Sequence, residues 1–188
     1  MKQRVKKLSE KTLMQNPWWD YKLDHILWSN GQEGDYYYGV VKNGSVIIVP
    51  ILDDGRFILI QQYRYLHDKF CIEFPSGGIN TKEFAINAAK RELREETGYT
   101  SRNFINVGLF ENTAGLLKNT IHLFIANKLC YTVLDTKPDY TEDIKIITLS
   151  VGEVEEMIRK GKIWDGKTLA AWAVVRSSKL LYGKNRRA

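Results

Sequence analysis

The spacing of apolar residues along this chain changes several times, and each change marks an element. Residues 20–29 (DYKLDHILWS) and 35–42 (DYYYGVVK) flank the turn-rich NGQEG at 30–34 and predict a pair of strands. GSVIIVPIL (44–52) and RFILIQQYRY (56–65) are separated by an Asp-Gly turn and predict two hairpin-joined strands. Their near-continuous Val and Ile predict a sheet covered on both faces. FCIEF (70–74) predicts a further strand, ended by Pro75 and the glycines after it. The period then lengthens: Ile86, Ala89 and Leu93 form one stripe of a helix over 83–97. INVGLFE (105–111), IHLFIANK (121–128) and DIKIITLS (143–150) return to strand patterning. VGEVEEMIRKG (151–161) is amphipathic at the helical period, and KTLAAWAVVRSSKLL (167–181) predicts another helix. This order predicts an α/β fold in which a mixed sheet is flanked by helices. A main domain spans residues 43–188, and a small strand subdomain of residues 1–42 lies outside its principal layer.

Composition narrows the function classes. The chain has 188 residues, enough for one full core, with 44% hydrophobic and 27% charged residues. Its net charge of +6 suggests nucleic acid until it is located. Lys2, Arg4, Lys6 and Lys7 near one end and Lys184, Arg186 and Arg187 near the other account for it, which predicts solvated tails around a neutral body. No nucleic-acid partner is expected. No apolar run reaches the roughly 18 residues of a membrane span, and MKQRVKKLSEKTL has no apolar segment of a secretory signal. Cys71 and Cys130 lack metal spacing and read as free thiols in a reducing cytoplasm. His25, His67 and His122 are scattered and read as ordinary hydrogen-bonded histidines.

RELREETGY (91–99) changes the picture. Glu92, Glu95 and Glu96 fall at the C-terminal end of the expected helix, where the macrodipole disfavours anions. Taking about 100° per residue, Glu96 lies about 40° to one side of Glu92 and Glu95 about 60° to the other. Three carboxylates in one sector repel one another unless a cation sits among them. Hard divalent ions suit such oxygen donors, magnesium above all when phosphates share it. Arg91 stands one turn before Glu95 and can orient it. PSGG (75–78) supplies backbone able to approach the same ion, with the Ser76 carbonyl as a candidate ligand.

Gly77, five residues, Glu83, seven residues, then Arg91-Glu92-Leu93-x-Glu95-Glu96-x-Gly98-Tyr99 resembles the Nudix box throughout. The resemblance implies a Nudix-type α/β/α sandwich and a Mg2+- or Mn2+-dependent hydrolase of nucleoside diphosphates linked to another moiety. It implies Glu92 and Glu96 as main metal ligands, Glu95 as a third and Ser76 as a backbone ligand. Arg91 and Glu83 become orienting groups, with Gly77 and Gly78 beside the substrate. QQYRY (61–65), IEFPSGG (72–78), IWDGKTLAA (163–171) and NPWWDYKLD (16–24) further resemble the ADP-ribose and ADP-sugar pyrophosphatase branch. That branch implies release of AMP and a sugar phosphate, Arg64 on phosphate or terminal ribose, and a homodimer through the N-terminal strands. Trp18, Trp19 and Tyr36 to Tyr38, including Tyr37, offer aromatic faces to adenine.

One segment departs from the branch. FENTAGLLKNT (110–120) has Ala114 where a proline usually stands and Lys118 among the expected acids. A carboxylate from this loop is therefore in doubt, and Glu111, Glu95, Glu96 or a metal-activated water remain as bases. Two further readings stay open: action on a triphosphate or another dinucleotide, and a nucleotide-binding regulator without turnover. Gly161 to Thr168 also fits G-x-x-x-x-G-K-[ST], but the helical pattern before it predicts no phosphate loop.

Overall fold

The computed structural model describes residues 4–132 and 144–178. The expected tail charges at Lys2, Lys184, Arg186 and Arg187, the first residue of the strand expected at 143–150, and residues 179–181 of the last expected helix lie outside that range. Eleven strands and three α-helices are described: β1 (Val5–Gln15), β2 (Trp19–Trp28), β3 (Glu33–Val41), β4 (Ser45–Pro50), β5 (Phe57–Arg64), β6 (Lys69–Glu73), β7 (Ser76–Gly78), α1 (Ala85–Thr97), β8 (Tyr99–Glu111), β9 (Leu117–Lys118), β10 (Thr120–Tyr131), β11 (Lys145–Leu149), α2 (Val151–Arg159) and α3 (Gly166–Ser177).

The central mixed sheet runs β7-β4-β10-β8, with β4 and β10 parallel and the outer pairs antiparallel. Alternation along β4 sends Val46 and Ile48 one way and Ile47 and Val49 the other, all four fully buried. Val46 and Ile48 pack with Ala88, Ala89 and Leu93 of α1. The small alanines let the helix lie close to the sheet. Ile47 and Val49 join a second core with Phe57 and Leu59 of β5, Val154 of α2, and Ala171, Trp172 and Val175 of α3. A three-stranded sheet β11-β5-β6 completes that layer, giving the mixed α/β sandwich.

Two local expectations are corrected. β4 and β5 do not form a hairpin ladder: beyond one bridge between Ile51 and Phe57 they enter different sheets. Each is apolar on both faces, so both demand cover, and their lateral edges are taken by β7, β10, β6 and β11. From Arg4 onward the basic N-terminal stretch is not a frayed tail. Lys6 and Lys7 lie in β1, antiparallel to β2, and the Arg4 carbonyl accepts the Ser29 N–H at 2.9 Å. Opposite charges pay for that exposed strand: Lys7 and Lys22 both reach the Glu10 carboxylate, and Lys7 lies 3.3 Å from Asp24. The N-terminal sheet is thus β1-β2-β3, extended by β9 from the loop at 112–119.

The bonds from Lys22 and then Lys7 pull the Glu10 carboxyl down to about 2. A depressed carboxylate contributes stability above its unfolded value and loses it as pH falls through the folded one. The β1–β2 pairing should therefore persist at pH 4.5, where an ordinary glutamate is half protonated, and weaken toward pH 2. Carboxyl carbon NMR of Glu10 measures this directly; a midpoint at the ordinary glutamate value would contradict it, and high salt should raise the midpoint.

Candidate active site

The site is assembled where α1 meets the loop at 73–78. α1 ends at Gly98, whose φ of 72° is left-handed and whose N–H returns to the Arg94 carbonyl at 2.9 Å. Leu93 and Thr97 anchor the inner face, leaving the acids at the rim. Arg91 is the hub. Its Nε and Nη2 donate to Glu83 at 3.1 and 3.0 Å, and its Nη1 donates to Glu92 at 2.6 Å and Glu95 at 3.2 Å. Nη2 also donates to the Gly78 carbonyl at 2.9 Å. The bonds to Glu83 lift the arginine above its already high ordinary value against partial desolvation, and they hold Glu83 below the usual carboxylate range. Glu83 also accepts the Asn80 N–H at 2.9 Å, so one carboxylate fastens both the entering loop and the hub.

Glu96, nearly buried, accepts the Ser76 N–H at 2.9 Å. Glu92 lies directly over Gly77, where an added Cβ would meet its carboxylate at 2.0 Å. Glycine is what lets the loop pass beneath that side chain. The structure therefore brings Glu83, Arg91, Glu92, Glu95, Glu96, Ser76, Gly77 and Gly78 into one locale. Among the described residues, no three Asp, Glu, His or Cys groups already converge as metal ligands do. The cation among the carboxylates is Arg91 itself. The donors, carboxylate oxygens opposite a backbone loop, fit a hard divalent ion in kind.

Arg64 enters from the end of β5 and grips the Glu73 carboxylate at two points, one at 2.6 Å and one shorter. Glu73 is only 1% exposed. That pairing raises Arg64, and the charges of Asp165 and Glu96 add to it. Beside it a cleft of about 410 Å³ is lined by Gln62, Arg64, His67, Glu73, Trp164 and Asp165, among others. Trp19 and Tyr37 sit instead on the N-terminal sheet, and Trp18 in the bend between β1 and β2. Trp18 is exposed, and Tyr37 stacks on Tyr21 with ring centres 6.2 Å apart. Tyr36 and Tyr38 face a second cleft of about 390 Å³, shared with Asp24, Glu111 and residues 114–118.

Glu111 is occupied structurally. It accepts the Asn119 N–H at 2.9 Å and the Thr120 hydroxyl at 2.7 Å, closing the departing loop on itself. Sequence reasoning missed Glu73, Lys167 and Thr168 as site residues. All three lie in stretches that resembled the pyrophosphatase branch, and Lys167 and Thr168 end the dismissed phosphate-loop pattern. What precedes that pattern is α2, and Asp165 caps α3 by accepting the Thr168 N–H at 2.9 Å.

An acidic helix end clasped to a glycine-bearing loop, on a mixed sheet flanked by helices, defines an α/β fold with a carboxylate-rich site. The NUDIX domain profile matches residues 41–172, and the chain belongs to the Nudix family as a Nudix pyrophosphohydrolase. It is 30% identical over 151 residues to the methanol dehydrogenase activator of Bacillus methanolicus, covering 80% of each chain. It is 28% identical over 135 residues to the ADP-ribose pyrophosphatase of Bacillus subtilis (strain 168), covering 70% of this chain and 72% of that one. In fold it is similar to the crystal structure of an ADP compounds hydrolase, with a TM-score of 0.84, 22% identity and 98% of both chains covered.

Replacing Gly77 by alanine forces the Glu92 carboxylate to move, and a flexible side-chain end moves cheaply. The fold should survive with its melting temperature nearly unchanged, while divalent-metal affinity and hydrolytic activity fall roughly 10–100-fold. Wild-type metal affinity in Gly77→Ala would show that Glu92 does not depend on this close approach.

Proposed function

We propose that the chain is a Mg2+- or Mn2+-dependent hydrolase of ADP-ribose or an ADP-sugar, releasing AMP and a sugar phosphate. The observation carrying this reading is the Glu96–Ser76 bond, which fastens the acidic face of α1 to the 76–78 segment. Glu92, Glu95, Glu96 and the Ser76 carbonyl would hold the metal, with Arg91 and Glu83 orienting the carboxylates. When bound, such an ion neutralises a diphosphate and makes water more acidic. Arg64, fixed by buried Glu73 beside the 410 Å³ cleft, would meet a phosphate or the terminal ribose. The ADP-ribose pyrophosphatase relative supports this substrate class.

One observation favours a second reading, nucleotide binding with little or no turnover. Glu111, the loop carboxylate nearest to a base in sequence, has both oxygens engaged. A panel of ADP-ribose, ADP-sugars, other dinucleotides and nucleoside triphosphates, run with magnesium on wild type and Glu96→Gln, separates the readings. AMP from ADP-ribose in wild type alone is expected, with a loss of at least about 100-fold in the variant. Turnover of triphosphates alone, or binding without turnover, would overturn it.

We further propose a cytoplasmic homodimer joined through residues 1–42. Leu8, Leu13 and Met14 of β1 are each about two-fifths or more exposed, and β1 is a sheet edge. Sedimentation should give twice the monomer mass, falling to the monomer when Leu8 and Leu13 become lysine; a monomeric wild type would refute the dimer. The two free thiols, Cys71 and Cys130, suit a reducing compartment.

A further inference from the structure

The G-x-x-x-x-G-K-T pattern at 161–168 is no phosphate loop, yet its last two residues reach the site from the far side of the 73–78 segment. Thr168 is fully buried and its hydroxyl accepts the Phe74 N–H at 3.1 Å. With the Asp165 cap, that bond fixes the first turn of α3 against residues 74–76. Lys167, half-buried on the same turn, donates from Nζ to the Ser76 hydroxyl at 3.0 Å. Ser76 is thus bracketed, its N–H held by Glu96 and its hydroxyl by an ammonium. Three cations line this short segment: Arg64 on Glu73, Lys167 on Ser76 and Arg91 on Gly78. Arg64 already has an ionised partner in Glu73, and Arg91 has three. Lys167 meets a neutral hydroxyl, a weaker partner than any ionised oxygen.

We propose that Lys167 is a substrate-binding residue whose ammonium takes a phosphate oxygen of the nucleoside diphosphate beside Ser76. A lysine ammonium is a compact point charge suited to this, and its three donors let it keep Ser76 while accepting an anion. The inference rests on the diphosphate reading above and adds the residue that would face the phosphate from α3. Charge on the bridging diphosphate grows in the transition state, so a fixed ammonium there acts on turnover as well as on affinity.

The test compares wild type, Lys167→Met and Lys167→Arg by calorimetry with α,β-methylene-ADP-ribose, inorganic pyrophosphate and adenosine, together with ADP-ribose kinetics. Lys167→Met should weaken the analogue and pyrophosphate roughly tenfold and lower kcat/KM roughly a hundredfold. Adenosine affinity, magnesium uptake and melting temperature should be unchanged, and Lys167→Arg should restore most of the loss. Wild-type affinity and turnover in Lys167→Met would overturn the proposal. So would a lowered melting temperature with equal losses for adenosine and pyrophosphate, which is the mark of a strut between α3 and the loop. If wild type binds the analogue but hydrolyses no diphosphate, the hydrolase reading falls and the affinity comparison still judges Lys167. If wild type binds neither analogue nor pyrophosphate, both fall.

Discussion

Carboxylates crowded at the negative end of a helix need a cation, and the guanidinium of Arg91 supplies it. It holds Glu83, Glu92 and Glu95 together and adds the Gly78 carbonyl, so the loop and the helix share one clamp. Glu96 makes the complementary link by accepting from Ser76. Everything else about the site depends on this mutual hold. If the loop drifted from α1, the acids would face water, and neither a metal nor a phosphate would find a fixed partner. The fold secures the helix from behind, where fully buried Ala88, Ala89 and Leu93 sit on β4.

The helix itself was legible because its signals are local. The stripe of Ile86, Ala89 and Leu93, the acids within two turns and the closing glycine all fall within fifteen residues, and the helix at 85–97 follows them. The burial of β4 and β5 was legible for a related reason, since their unbroken aliphatic runs announce cover on both faces. That same property hid how they pair. Nothing in an Asp-Gly turn says that two doubly buried strands will part after a single bridge, because their partners lie far away in the chain.

What stayed illegible was mostly non-local or electrostatic. The Lys167–Ser76 and Thr168–Phe74 bonds span more than ninety residues, and no periodicity encodes them. β1 was hidden by composition: its lysines look like a solvated tail until Glu10 and Asp24 are placed beside them. Arg64 was visible as a charge on a strand end, but its buried partner Glu73 was not, since a lone glutamate in FCIEF carries no mark of burial.

The segment that departs from the pyrophosphatase branch now has a structural job. Glu111 closes residues 112–119 on themselves, and β9 within that loop pairs with β3 while the Tyr36 hydroxyl donates to the Gly115 carbonyl at 2.7 Å. A loop so used links the N-terminal sheet to the end of β8 and the start of β10, the strands that flank it. Its carboxylate could take up catalysis only by giving up two hydrogen bonds, each of the charge-assisted kind that is stronger than a neutral pair. Under the proposed hydrolase reading, the α1 carboxylates remain the candidates for the proton-accepting role. Ala114, where the branch usually has proline, and Lys118, among the expected acids, leave this segment to that structural role.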